Sequence, residues 1–264
     1  MVYIQFMKNS KKNELAVCGV EAVLALVKEN PQKVKRFYYS EDRIKNFSFI
    51  FKYFAQNKIP YNQVKEIVEL EKICGSVHHQ GVVAMIEQPK IPVLNSDITD
   101  EWISKKESAL VLDRVGNANN LGAIVRSAAF FGFKNIVIPI DESQSSVTTS
   151  SYRVAQGGME YVNVYCVHSI VKLLSAMKGK MVRIGTDVNA KMSVKKIPEV
   201  SEGKGALIVL GNEEHGISDD VRKNCDNLVI IPYSKTNEIN TRRIESLNVA
   251  QAAAIVLYAA CADN

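Results

Sequence analysis

Hydrophobic positions in this chain recur at helical spacing in some stretches and in continuous runs in others, and the changes between them mark the elements. From Gly19 to Glu29, apolar Val20, Val23, Leu24 and Val27 fall at helical spacing and Pro31 follows the end, which predicts a first helix. VKRFYYS (34–40) predicts a strand. A second helix over 41–56 is aromatic along one side through Phe47, Phe51 and Phe54, a third covers 64–74, and GVVAMIE (81–87) is a buried strand. This alternation predicts a small α/β unit.

Residues 88–105, QPKIPVLNSDITDEWISK, bring Pro89, Pro92 and several turn formers without a sustained period, the composition of an inter-domain linker. The expected division is a first unit over 1–92, a linker over 93–105 and a second unit over 106–264. Apolar runs then recur at 109–113, 135–140, 161–167, 180–185, 206–211 and 227–232. Their near-continuous character suits strands of a parallel sheet covered on both faces. Helical stretches lie between them, notably Leu121–Phe131, Ser169–Lys178 and Ser246–Ala260, so the second unit is predicted to be a βα-alternating domain.

Composition changes this picture in two respects. At 264 residues, with 47% hydrophobic and 23% charged, the chain suits an ordinary globular protein and not a disordered or collagenous one. Its net charge of +5 is uneven: residues 1–92 hold 14 Lys+Arg against 9 Asp+Glu, whereas 93–264 hold 19 of each. The five cysteines, Cys18, Cys74, Cys166, Cys225 and Cys261, are scattered and never form Cys-x-x-Cys, so neither a disulfide framework nor a zinc ribbon is indicated. The N-terminus lacks the features of a signal peptide and no apolar run is long enough to span a bilayer, so a soluble cytoplasmic protein is expected.

Three polar segments follow predicted strands at the end where open α/β sheets bind ligands. In LDRVGNANNLGAIVRSAAFFG (112–132), Asn119 or Asn120 would cap a helix opening at Leu121, and Gly122 would allow close backbone approach. Arg126 lies less than two turns beyond Asn120, so both could line a pocket mouth; a capped helix with a solvated arginine is the simpler alternative. In IVLGNEEHGIS (208–218), Glu213 and Glu214 are adjacent on a turn, so at most one faces a site, and a solvated acidic turn is equally consistent. No further ligand stands at metal spacing from His215. In IIPYSKTNEINTRRIESLNVAQAAAIVLYAA (230–260), Ser246 is a plausible N-cap of a helix apolar nearly all round, which demands burial in the core or against a second subunit. Cys74, His78 and His79 form a short cluster without a fourth ligand, better explained as structural. Gly116-x5-Gly122 has the wrong spacing for a dinucleotide fingerprint, and no Gly-Lys-Ser/Thr occurs.

In this order and spacing the three segments are similar to the three motifs of the SpoU (TrmH) family of RNA ribose 2′-O-methyltransferases. NNLGAIVRSAAFFG resembles the first, IVLGNEEHGIS the second, and IIP with SLNVAQAAAIVLY the third. Gly19, Ala22 and Val23 with the HHQGVVA stretch resemble the family's α/β substrate-binding domain. The resemblance implies a parallel-sheet SPOUT domain with a deep trefoil knot, preceded by a small α/β RNA-binding domain. It implies S-adenosylmethionine as cofactor, held by backbone groups at Gly211, Ile231 and Leu247, with Glu213 and Gly216 shaping the loop around it. It places Asn120, Arg126, Glu213, Ser246 and Asn248 at positions used for catalysis and RNA placement. A homodimer, no metal, and RNA as substrate, ribosomal more than transfer RNA, also follow from it.

A sulfonium methyl is already activated, so such an enzyme must align a ribose 2′-hydroxyl and help it lose its proton. Because a guanidinium stays protonated, Arg126 is expected to stabilise the developing alkoxide and grip a phosphate. Two departures stand out: Asn117-Ala118 replaces the family's usual Asp-Pro, and thirteen residues, YSKTNEINTRRIE, separate Pro232 from Ser246. Arg242 and Arg243 there would either clasp RNA phosphates or sit on a mobile surface loop. The alternative function is a non-catalytic RNA-binding or ribosome-assembly protein that retains the fold; a ribosome-modifying resistance enzyme would share the motifs and differ in target nucleotide.

Overall fold

The structure, a computed structural model, describes residues 3–4, 13–141, 143–233 and 246–261. Arg242 and Arg243 lie outside the described residues. A short strand β1 (Tyr3–Ile4) precedes β2 (Glu14–Cys18), α1 (Val20–Glu29), β3 (Val34–Tyr39), α2 (Ile44–Gln56), β4 (Tyr61–Gln63), α3 (Ile67–Cys74) and β5 (Val82–Glu87). The strands form a four-stranded sheet in the order β2-β5-β3-β4, with β5 antiparallel to both neighbours and β3 parallel to β4. Alternate residues of β5 serve opposite faces. Ala84 and Ile86 join Val17, Phe37, Phe47 and Phe54 under α1 and α2, whereas Val83 and Met85 join Ala16, Leu70 and Cys74 under α3.

Residues 93–105 differ from the expected linker. After β6 (Ile91–Pro92), which pairs with β1, they fold as α4 (Ser96–Lys105), opened by Asn95, whose side chain accepts from the Ile98 N–H at 3.1 Å. Trp102 is only 2% exposed and meets Tyr165 edge-on at 5.6 Å. A buried indole explains why this segment is ordered: it contributes one of the largest apolar areas a single side chain can offer.

The second unit runs β7 (Ala109–Asp113), α5 (Ala118–Phe130), β8 (Asn135–Pro139), α6 (Thr149–Ala155), β9 (Asn163–Val167), α7 (Ile170–Ala176), β10 (Val182–Thr186), β11 (Met192–Ser193), α8 (Ile197–Val200), β12 (Ala206–Gly211), α9 (Asp219–Lys223), β13 (Asn227–Ile230) and α10 (Val249–Cys261). Its seven strands are ordered β11-β13-β10-β12-β7-β8-β9, and every pairing is parallel. Each of the six predicted apolar runs coincides with one strand, β10 reaching one residue past its run, whereas the two-residue β11 lies outside them all. The chain leaves β7 toward β8 and β9, then returns to build β10 and β12 on the other side. The switch point therefore falls between β7 and β12, where loops diverge and leave a crevice at the strand ends.

The two units are docked and not merely tethered. Gly157 has φ +94°, and a Cβ there would lie 2.7 Å from the Ala25 Cβ on α1, so glycine permits the contact on both counts. Beside it the Glu160 side chain is 1% exposed and accepts from Asn30 at 2.7 Å and Lys33 at 2.9 Å. Gln88 donates to the Val147 carbonyl at 3.2 Å. One apolar cluster runs through both units.

Candidate active site

Three loops meet at the switch point. The first opens α5. Asn117, not Asn119 or Asn120, is the cap: its side-chain oxygen accepts from the Asn119 N–H at 2.8 Å, and the helix begins at Ala118, three residues before the expected Leu121. The replacement of Asp-Pro by Asn117-Ala118 thus leaves the helix capped. Asn120 is freed to point across the crevice. Gly122 works as expected, since a Cβ would lie 2.5 Å from the Ser151 carbonyl oxygen of α6.

The second loop follows β12. A Cβ on Gly211 would fall 2.1 Å from the Gly216 carbonyl carbon, so only glycine lets residues 211–217 fold back against the strand end. Asn212 turns the loop: its side-chain oxygen accepts from the Glu214 N–H at 2.8 Å and its carbonyl from the Gly216 N–H at 2.9 Å. This geometry sends Glu214 and His215 to solvent and leaves Glu213 half-buried. Both adjacent carboxylates border the cavity, but Glu213 is the half-buried one.

Asp113, Arg114 and Asn212, which pattern reading passed over, brace this loop on β7. Asp113 is buried, accepts from the Ser218 N–H at 2.8 Å and from Arg114 Nε at 3.1 Å. Arg114 donates to the Gly216 carbonyl at 3.3 Å, and its own carbonyl accepts from Asn212 at 3.2 Å. Arg114 adopts φ +61°, a conformation costly for a residue with a side chain. Nothing in hydrophobic periodicity reports such a φ; the one available sign was a buried aspartate at a strand end beside an arginine.

The third loop enters α10. Asn248, not Ser246, caps this helix, accepting from the Ala250 N–H at 3.0 Å. The Asn248 side-chain nitrogen donates to Asn120 Oδ1 at 3.1 Å, the Asn120 nitrogen donates to Glu213 Oε1, and the Ser246 hydroxyl donates to the Glu213 carbonyl at 3.4 Å. Four of the five expected catalytic residues therefore form one hydrogen-bonded chain from three distant segments. Arg126 does not join it: the residue is exposed on α5, and among the described residues no hydrogen bond or ion pair engages its guanidinium.

Below this chain lies a cavity of about 980 Å³. Gly211, Gly216, Ile231 and Leu247, the four expected cofactor contacts, all line it, as do Glu213 and Ser246. Its far wall holds Asp187, whose side chain is 4% exposed and ion-paired with Arg222, a pairing outside every motif. Apolar walls and loop backbone at the glycines, with Glu213 and Glu214 beside the paired Asp187 and Arg222, give a site for a group that has both an apolar and a polar part. Among the described residues no group of three or more His, Cys, Asp or Glu is placed to hold a metal ion.

Comparison with known proteins agrees with this geometry. Residues 107–258 match the family model described as SpoU rRNA Methylase family, and residues 16–92 the model described as RNA 2′-O ribose methyltransferase substrate binding. The chain is 34% identical over 196 residues to a 23S rRNA (guanosine-2′-O-)-methyltransferase RlmB of Acinetobacter baylyi, covering 73% of this chain and 74% of that protein. It is also 34% identical over 159 residues to an uncharacterized tRNA/rRNA methyltransferase of Haemophilus influenzae, spanning 60% of this chain but 44% of that longer protein. The SpoU methyltransferase AviRb of Streptomyces viridochromogenes, solved in complex with the cofactor AdoMet, superposes with a TM-score of 0.70 at 22% identity over 95% of this chain and 90% of its own. With the first family model spanning more than half of its length, this chain belongs to the SpoU rRNA methylase family.

Proposed function

We propose that the chain transfers a methyl group from S-adenosylmethionine to a ribose 2′-hydroxyl of RNA, with ribosomal RNA as substrate. The observation that carries this reading is the hydrogen-bonded chain Asn248–Asn120–Glu213, with Ser246 on the Glu213 carbonyl, at the rim of the cavity. The family model and the ribosomal RNA methyltransferase name of the Acinetobacter relative support it.

The residues present fit the cofactor. Leu210, Ile217, Ile231 and Leu247 offer apolar walls for an adenine, the backbone of the Gly211–Gly216 loop offers close polar contact, and the Glu213 carboxylate suits a sulfonium cation, Asp187 being already paired with Arg222. When bound, the cofactor supplies an electrophilic methyl, so the new O–CH₃ bond forms as the S–CH₃ bond breaks. Asn120 and Asn248 fix the Glu213 carboxylate, and the three together orient ribose hydroxyls by hydrogen bonds. Arg126, permanently charged and free of protein partners among the described residues, stabilises the developing 2′-alkoxide and holds the neighbouring phosphate, while the hydroxyl proton leaves to water. The family's trefoil knot belongs to the same reading, supported by the way residues 210–217 and 246–255 border one cavity.

The reading includes a homodimer and two domains divided near residue 92. α10 leaves Tyr258 exposed against Phe131 at the end of α5, whose other ring neighbour, Phe130, is 82% exposed, an apolar surface that a second copy of the chain would cover. No helix among the described residues is long and apolar enough to cross a membrane. Isothermal calorimetry with S-adenosylmethionine tests the foundation of the reading: saturable binding is expected, and its absence would favour the non-catalytic alternative.

A further inference from the structure

The first unit has one outward helix face whose composition its own packing does not account for. α2 carries five aromatic residues, and four have places inside. Phe47 and Phe54 are buried against Phe37 at 5.3 and 5.2 Å, Phe51 stacks on Tyr61 at 5.1 Å, and Tyr53 meets Phe54 edge-on at 6.2 Å. Phe49 is the exception: it is 54% exposed and makes no ring contact among the described residues. Lys45 lies four residues before it and Lys52 three after, so the three form one continuous ridge on the helix. Both lysines are exposed and neither is in an ion pair among the described residues. The helix contains no aspartate or glutamate. Glu41 and Asp42 precede it, and Asp42 is taken up by Ser40 and Arg43.

We propose that this face of α2 is a contact surface for single-stranded RNA, a base stacking on Phe49 while Lys45 and Lys52 meet flanking phosphates. An exposed aromatic ring between unpaired cations, about 10 Å apart along the helix, suits an unstacked base and its backbone. Charge complementarity selects the occupant, because the excess of +5 lies wholly in residues 1–92. Of the other exposed apolar side chains of this unit, Ile67 and Val68 on α3 are set among Glu66, Glu69 and Glu71 against Lys65 and Lys72, a net negative surrounding, and Val77 has no ring on which a base could stack. This surface rests on the reading that the chain acts on RNA, and it adds where the substrate is gripped away from the reacting ribose.

The test is fluorescence anisotropy of the full chain with a short labelled mixed-sequence single-stranded RNA, titrated at several salt concentrations. With Lys45→Gln and Lys52→Gln combined, the slope of log affinity against log salt should shallow by about 1.4, the loss of two phosphate contacts on a single strand. Phe49→Ala should weaken binding at least about fivefold, and Phe49→Trp should restore it. Calorimetry with S-adenosylmethionine serves as the control for folding of each variant. If the wild type binds RNA and all variants match it in affinity and slope, the surface is wrong and the methyltransferase reading stands. If the wild type binds no RNA, both fall.

Discussion

At Gly211 one missing side chain decides whether the cofactor loop can close. A methyl group there would overlap the Gly216 backbone, which is held by its own hydrogen bond to Asn212 and cannot retreat cheaply. Gly211→Ala should therefore cost at least about tenfold in S-adenosylmethionine affinity by calorimetry; wild-type affinity in that variant would contradict the assignment of the loop. The close backbone approach at Gly122 was legible in the sequence, whereas Gly211 and Glu213 were singled out by the resemblance, because their pattern alone is equally consistent with a solvated acidic turn. The caps were misplaced by two or three residues, at Asn117 and Asn248, because several asparagines and serines in succession compete for one position and only the backbone path chooses among them. Arg114 was invisible, since its left-handed backbone is imposed by contacts to residues about a hundred positions away.

Among the elements, β10 and β13 are joined by more than their ladder. Arg183, 5% exposed, donates through Nε to the Asp226 carboxylate at 2.9 Å, its backbone N–H donates to the same carboxylate at 2.9 Å, and its carbonyl accepts from the Asp226 N–H at 2.7 Å. Hydrogen bonding from Arg183 holds the Asp226 carboxyl below its ordinary value. The fold thus favours the ionised form, so the pair's contribution is complete above the usual carboxylate range, near pH ~4, and is lost as pH falls through the lower folded value. Asp226→Asn should lower unfolding free energy by about 1 kcal/mol at neutral pH, a modest figure because the carboxylate is a third exposed, and the gap should close in acid. A gap that stays constant across a denaturation series from neutral to acidic pH would disprove the link. At this scale the sequence was informative for strands, whose unbroken apolar runs have one explanation in a parallel sheet. It was less so for α4, where Ile98 and Trp102 supply a single turn of pattern after two prolines and a cap.

For the molecule as a whole, the sequence suggested a basic module on a neutral catalytic domain, and the structure adds that the two share a core. Removing residues 1–92 would uncover Gly157 and leave Glu160 without Asn30 and Lys33, so truncation would test stability as much as RNA capture. The exposed surface of α5 and α10 gives a cleaner experiment. Light scattering should find a dimer for the wild type, and Tyr258→Glu, which sets a charge in that apolar face, should shift it to monomer; an unchanged dimer would place the interface elsewhere. The all-round apolar character of the last helix pointed to burial on several sides, but which side meets a neighbour is decided by how α10 lies on α5, a tertiary fact.

The central claim is that these loops place a ribose 2′-hydroxyl, and no base atom, before the cofactor's methyl. Its most direct test is mass spectrometry of nucleosides from ribosomal RNA treated with the protein and isotopically labelled S-adenosylmethionine, the RNA being taken from cells lacking the protein. Labelled 2′-O-methylnucleoside should form with the wild type and fall to background with Arg126→Ala, which should keep its stability within about 0.5 kcal/mol because the side chain is exposed. Label on a base, or undiminished transfer by the Arg126 variant, would contradict the account.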